Sequence, residues 1–423
     1  MKVLLITYYW PPAGGSGVQR WLKFVKYLPE FGIAPVVYTV NNPDYAIEDA
    51  SLISEIPKNL EVLRGDIWEP NNILSKFGKS KKDSSSGFLN TDPTFVERQL
   101  QYVRANYFIP DARKFWIKPS VKLLSAYLEK NPVDAIITTG PPHSLHLIGY
   151  ELKIKFGVKW LADFRDPWTN IDYFHSLPLT RKSRQKHFEL ESMVLKKADA
   201  VLVVGKSMKD EFSDRTDKVQ VLSNGYDDFK LEGEIELDKK FSISHIGLMN
   251  ADRNPMVFWE ALKELQEESD EFAHDLKVNL IGKCAQEVYQ AVADFNLKDK
   301  VEFVGYVGHN EVLAYQQASQ VLLLSVNKVA SSKSIITGKV FEYLQSQRPI
   351  IGIGPPDGDL AEILKECKAG EMVDFEDVQS VKDVLRRYHK AYKKGTLMAD
   401  SKNVNQYHRR NLTEDLATLL RKL

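Results

Sequence analysis

Residues 1–28 read MKVLLITYYWPPAGGSGVQRWLKFVKYL. The run Val3-Leu4-Leu5-Ile6-Thr7 is short, apolar and partly β-branched, which is the pattern of a buried strand. Pro11 to Gly17 then supplies a glycine-rich turn. From Gly17 to Leu28, Val18, Trp21, Leu22, Val25 and Leu28 fall on one helical face before the breaker Pro29. A strand, a glycine turn and an amphipathic helix in immediate succession open a parallel α/β sheet.

The same rhythm continues outward. Further β-rich runs stand at 35–40, 60–64, 134–138, 158–163, 199–204 and 219–222, with helix-length patterns between several of them. After the acidic, low-aromatic stretch Leu231 to Lys240 it restarts, with runs at 241–246, 276–282, 300–304, 320–325 and 349–353. The expected architecture is two Rossmann-like, doubly wound domains facing across a cleft. They should cover residues 1–225 and 241–400, joined by a linker at 226–240. In the second, Asn254 is expected to cap and Pro255 to begin a helix whose Val257, Phe258, Ala261, Leu262 and Leu265 form the buried stripe. Residues 69–118 read as an insertion with a mobile tip at Lys79 to Gly87 (KSKKDSSSG). The closing segment 405–423 carries Leu412, Leu416, Leu419 and Leu420 at helical spacing, so it is expected to pack back on the first domain.

A chain of 423 residues, 43% hydrophobic, can fill two or three cores. Its 57 basic and 57 acidic side chains cancel, which gives no global attraction to nucleic acid or anionic lipid. Cys284 and Cys367 form neither a disulfide framework nor a metal-ligand spacing, and no cofactor or essential metal is expected. The N-terminus reads as a strand rather than a signal peptide, and no run reaches roughly 18 apolar residues, so a cytoplasmic protein without spanning helices is expected. The basic stretch Arg181 to Lys197 and the aromatics of 102–116 are either a peripheral contact with the inner membrane face or an ordinary solvated helix face.

In doubly wound sheets ligands bind beyond the carboxyl ends of strands, which selects a short list of side chains. Gly15 and Gly17, after the first run, either let a donor phosphate approach the backbone or only shape a tight turn. His143, after Gly140-Pro141-Pro142, can donate to a sugar or phosphate oxygen and suits proton handling, whereas His146 is more simply a packing residue. Asp163-Phe164-Arg165-Asp166-Pro167-Trp168 gathers two carboxylates, a guanidinium and an indole. Asp163 and Asp166 are candidate catalytic groups and Arg165 an acceptor-side group, with an internal salt bridge as the other reading. In the second domain Gly247 allows a close approach and Arg253 stands at a helix start, a sensible diphosphate grip. Ser334, Thr337, Gly338 and Lys339 lie on the polar loop that opens the next candidate helix. Glu342 follows on its first turns, where it can accept from both ribose hydroxyls.

Read in order, G-P-P-H-S at 140–144, D-F-R-D-P-W at 163–168, N-G-Y-D at 224–227, H-I-G at 245–247 and G-K-V-F-E-Y-L at 338–344 resemble the family 4 retaining glycosyltransferases of the GT-B fold. The similarity covers nearly the whole chain. It implies that the second domain binds a nucleoside diphosphate sugar, with Arg253 on the diphosphate, Glu342 on the ribose and Lys339 nearby. The first domain would hold a saccharide or lipid-linked acceptor in cell-surface polysaccharide or glycolipid synthesis. Transfer would retain the anomeric configuration without an essential metal. The chain departs from the pattern at Ser334, where the first of two glutamates usually stands, at Leu248, where a second basic residue is usual, and at Arg165-Asp166, where many members carry histidine.

The implied mechanism places the anomeric carbon beside an acceptor hydroxyl, while Arg253, the amides near Gly338 and Lys339 stabilise the departing nucleoside diphosphate. Two rivals share these features: a nucleotide-sugar epimerase of the same architecture, and a binding protein that keeps the nucleotide grip but has lost transfer.

Overall fold

The computed structural model describes residues 1–69, 95–171, 174–228 and 235–423. The Lys79–Gly87 tip expected from the sequence lies outside these residues. The chain forms two compact units, Met1–Asn224 with Arg409–Leu423, and Gly225–His408.

The first unit is built on strands β1 (Lys2–Ile6), β2 (Ala34–Val40), β3 (Glu61–Gly65), β4 (Ala135–Gly140), β5 (Lys159–Phe164), β6 (Ala200–Val203) and β7 (Val219–Val221). They pair in parallel in the order β3-β2-β1-β4-β5-β6-β7. The second unit uses β8 (Phe241–Ile246), β9 (Leu276–Ile281), β10 (Val301–Gly305), β11 (Val321–Ser325), β12 (Ile350–Ile353) and β13 (Gly370–Val373), again parallel, in the order β10-β9-β8-β11-β12-β13. Both are doubly wound α/β sheets. Every strand run expected from the sequence is present within a residue or two at each end. The addition is β13, whose four residues Gly-Glu-Met-Val form a short edge with too little apolar periodicity to stand out.

Helices cover both faces of each sheet, so alternate residues of one strand enter different cores. In β1, Leu4 and Ile6 join the cluster that contains Trp116, Trp160 and Phe164. Val3 and Leu5 join the opposite cluster, with Val18, Trp21 and Leu22 of the helix Ser16–Tyr27. The terminal helix Arg409–Lys422 completes that second cluster. Its Leu412, Leu416, Ala417 and Leu420 are buried there, and Arg410 pairs with Glu30 at 2.7 Å on the rim.

Two local expectations need correction. The helix after β8 begins at Met256 rather than Pro255, and the Asn254 side chain does not cap it, because its Oδ1 accepts from the Trp259 indole at 2.7 Å. Within the stretch expected as a linker, the Tyr226 amide donates to the Tyr407 carbonyl, and the Asp238 amide to that of Ala318; both are thereby tied into the second unit. Among the described residues no helix is long and apolar enough to cross a membrane.

Candidate functional site

In each sheet the strand order reverses direction at one place, between β1 and β4 and between β8 and β11. The crevice outside the carboxyl ends of the strands at such a switch point is where doubly wound sheets hold ligands.

In the second unit, β8 runs into Gly247, whose φ of +113° lies in a region that side-chain-bearing residues rarely adopt. The turn is close-packed on its other side as well: a Cβ on Gly247 would fall 2.6 Å from the Lys339 Nζ. Lys339 opens the helix Lys339–Ser346, so its ammonium lies directly against the β8 turn. Arg253 sits in the short 3-10 turn Ala251–Arg253 that Asn250 caps, not at the start of the longer helix as expected. Its guanidinium is aimed by Nε donating to Asn327 Oδ1 at 3.0 Å and Nη1 to the Leu248 carbonyl at 3.0 Å. Asn327 lies two residues beyond β11. Residues from both sides of the switch point therefore fix one cation, and a second reaches it from the Lys339 helix.

The electrostatics follow from that gathering. Burial, and then the nearby Arg253 charge, lower the Lys339 ammonium to about 7, against the partial support of Glu342. His245, the last residue but one of β8, is buried and neutral, held well below its ordinary value by burial and by Lys339. Its Nδ1 faces the Leu323 carbonyl at 3.1 Å. The site is short of negative charge, which an anionic ligand would supply. Glu342 lies three residues beyond Lys339, hence on a neighbouring part of the same helical face. Buried Gln316 donates to its Oε2 at 3.2 Å. Ser334 is spent locally, its hydroxyl donating to the Ser331 carbonyl at 2.9 Å. The Thr337 carbonyl accepts from the Val340 amide, and Gly338 precedes the helix with open space where its side chain would be.

In the first unit Arg165 clips the two loops of the other switch point together. Its Nη1 donates to the Gly17 carbonyl at 2.8 Å, Nη2 donates to the Pro141 carbonyl, and the guanidinium lies over the Tyr9 ring. Gly15, at φ +82°, ends that loop at the helix Ser16–Tyr27. Arg165 is thus a brace between the end of β5 and these two segments. Asp166, half-buried, follows β5 beside it.

Asp163 differs from the sequence expectation. It is fully buried and accepts from Arg20 Nη2 at 3.0 Å, Trp21 Nε1 at 2.7 Å and Thr139 Oγ1 at 2.8 Å. The carboxylate takes four hydrogen bonds from three side chains, the fourth from Arg20 Nε at 3.3 Å, and so anchors β4, β5 and the first helix to one another. His143 is corrected in its chemistry. Burial, then His146 and Arg165, hold it well below its ordinary value, so it is a neutral imidazole and not a base tuned near neutrality. It stacks on Trp168 at 4.8 Å, and among the described residues neither ring nitrogen has a hydrogen-bond partner. Most buried polar atoms are hydrogen-bonded, so a water or a ligand is the natural partner for these two nitrogens. His146, stacked on Phe164 at 4.5 Å with Nδ1 2.9 Å from Thr138 Oγ1, is a packing residue.

Sequence reading did not single out Asn327, Gln316 or Arg20. The strand-end rule reaches Asn327, two residues beyond β11; Gln316 and Arg20 sit inside helices and carry no local signal.

These observations can be set beside known proteins. Residues 240–390 match the family model of glycosyl transferases, group 1. That span contains β8 to β13 with Gly247, Arg253, Ser334, Thr337, Gly338, Lys339 and Glu342, and leaves out Gly15 and Gly17. No curated protein sequence matches the chain significantly. Among solved structures, the chain is similar to the sucrose-phosphate synthase of Thermosynechococcus elongatus, at 14% identity and a TM-score of 0.60 over 100% of this chain and 98% of that one. It is similar to the HepE protein of Anabaena, solved in complex with UDP-glucose, at 13% identity and 0.60 over 100% of both. It also resembles the N-terminal domain of trehalose-6-phosphate phosphatase from Candida albicans, at 14% and 0.63 over 100% and 96%. At such identities the likeness establishes the fold.

Proposed function

We propose that this chain is a retaining glycosyltransferase of family 4 and GT-B architecture, moving a sugar from a nucleoside diphosphate sugar to a hydroxyl of a saccharide or lipid-linked acceptor. The observation that carries the reading is the convergence of Arg253 and Lys339 on the Gly247 turn at the switch point, with Glu342 one turn along the helix that Lys339 begins. Two cations beside a glycine turn fit a diphosphate, and a carboxylate at that distance fits a ribose. The family match over residues 240–390 supports the transferase class, and the UDP-glucose in the Anabaena structure makes a nucleoside diphosphate sugar the natural donor.

In this reading Arg253 and Lys339 hold the departing diphosphate, and the open backbone before Gly338 adds amide donors. Charge developing on the leaving group is met by fixed cations, so turnover is expected to persist in a metal chelator. The first unit binds the acceptor. His143 donates or accepts at a hydroxyl without changing charge, and Asp166 orients the acceptor or the sugar. Gly15 and Gly17 shape the loop that faces them. The work is assigned to the cytoplasm, in building a cell-surface polysaccharide or glycolipid.

The test is thermal stability against a panel of nucleotides and nucleotide sugars. One nucleoside diphosphate sugar is expected to raise stability selectively, by about 2.7 kcal/mol at a hundredfold excess over its dissociation constant. Glu342→Ala should weaken that ligand roughly 10- to 100-fold, as loss of hydrogen bonds to a charged acceptor costs about 1.5–3 kcal/mol. Product analysis then separates the rivals. A transferase releases nucleoside diphosphate only when acceptor is present, an epimerase converts donor without releasing it, and a binding protein leaves donor unchanged. Absence of stabilisation by every ligand would overturn the assignment of the site.

A further inference from the structure

We infer that the face formed by the helix Phe95–Tyr107 and the start of the helix Arg181–Lys197 docks onto an anionic lipid surface. The first of these helices belongs to the fold by a narrow margin: among its described side chains only Ala105 is buried, at 9% exposure. Val96, Leu100, Val103 and Tyr107 recur at spacings of four, three and four, which lays them in one stripe along the helix. All four are exposed, Val96 at 60% and Tyr107 at 67%. The helix is about 20 Å long, so the stripe is a continuous apolar ridge. A helix that presents Leu, Val and Tyr to water with basic residues at its flanks has the composition of an interfacial helix.

Its surroundings extend the same surface. Asn106 fastens the end of this helix to the start of the next, donating to the Pro178 carbonyl at 2.8 Å and accepting from the Thr180 amide at 2.8 Å. That joint places Arg181 and Lys182, both exposed, next to the end of the helix that carries the ridge. Near the same end Trp68 and Phe115, both exposed, meet edge to face at 4.8 Å, and the Lys114 ammonium lies over Phe115 while donating to the Tyr107 carbonyl. Exposed tryptophan and tyrosine next to lysine and arginine suit the boundary between headgroups and acyl chains, where one end of each side chain is wet and the other is not.

A second copy of this chain is the other obvious occupant, but the rim decides against it. A symmetric pairing would bring Lys114, Arg181 and Lys182 of each copy toward the same charges of the other, whereas anionic headgroups attract them. The inference does not depend on the sugar-transfer reading, because it concerns a surface of the first unit that needs neither donor nor acceptor.

The experiment is flotation of the purified full chain with vesicles of phosphatidylglycerol mixed into phosphatidylcholine, against phosphatidylcholine alone, at low and high salt. Binding is expected to the anionic vesicles, to fall severalfold with salt, and to drop at least about tenfold in Leu100→Glu and in Arg181→Glu/Lys182→Glu. These side chains are exposed, so both variants should keep the wild-type circular dichroism and melting midpoint. No binding by the wild type at low salt, or variants that float as the wild type does, would overturn the inference. A concentration-dependent dimer that Leu100→Glu dissolves, in place of vesicle binding, would give the ridge to a second copy instead.

Discussion

Asp163→Ala is expected to destabilise the protein by about 3–5 kcal/mol, the range for removing one member of a buried ion pair. The reason is what the substitution leaves behind. Arg20 is 3% exposed and would keep its charge with the carbonyls of Leu222 and Ser223 and the Asn224 side chain as acceptors, but without a countercharge. The Trp21 indole and the Thr139 hydroxyl would lose their acceptor in the same step. At about 2–4 °C per kcal/mol for a domain of this size, the melting midpoint should fall by roughly 10 °C. Differential scanning calorimetry of the variant checks it. Asp163→Asn, which keeps the shape and one acceptor oxygen, should recover part of the loss. An alanine variant that melts with the wild type and yet fails to turn over would return Asp163 to the catalytic group.

That correction shows where a sequence stops being readable. The strands could be placed because burial on both faces leaves unbroken apolar runs, and the helix Ser16–Tyr27 because Val18, Trp21, Leu22 and Val25 repeat at its period. The strand-end rule then led to Gly247, Arg253, Glu342 and His143 without knowledge of the fold's details. It could not distinguish Asp163 from Asp166. The two are three residues apart, Asp163 inside the end of β5 and Asp166 just beyond it, and what sets Asp163 apart is Arg20, 143 positions earlier in the chain. Pairing across such a separation has no local signature. The same holds for Lys339, whose sequence position marks only the start of a helix. Its meaning comes from Gly247, a residue without a side chain that leaves room for the ammonium. The charge beside the β8 turn arrives from across the switch point, on the helix that follows β11.

Lys339 accordingly carries the most diagnostic prediction for the donor site. In the unliganded protein its ammonium titrates at about 7, lowered first by burial and then by Arg253. Between that value and the ordinary lysine value of about 10.4, the unfolded chain holds a proton that the folded chain has released, so this residue's contribution to stability rises with pH across the window. A bound diphosphate reverses the balance, since an opposite charge beside the ammonium favours the protonated form. Donor binding above pH 7 must then take up a proton. The affinity for a nucleoside diphosphate sugar should be flat below about pH 7 and weaken above it, by as much as tenfold per pH unit, until the raised value of the complex is reached. Calorimetric titration in buffers of different ionisation enthalpy measures both the affinity and the proton count. Lys339→Met should abolish the proton uptake and cost on the order of 100-fold in affinity at pH 7, the scale of a charge-assisted contact in a dry site. Lys339→Arg, charged at every pH in the range, should restore much of the affinity while leaving the profile flat. Were the methionine variant to bind donor as tightly as the wild type with an unchanged pH profile, the lysine would lie outside the diphosphate grip, and Arg253 alone would have to hold the leaving group.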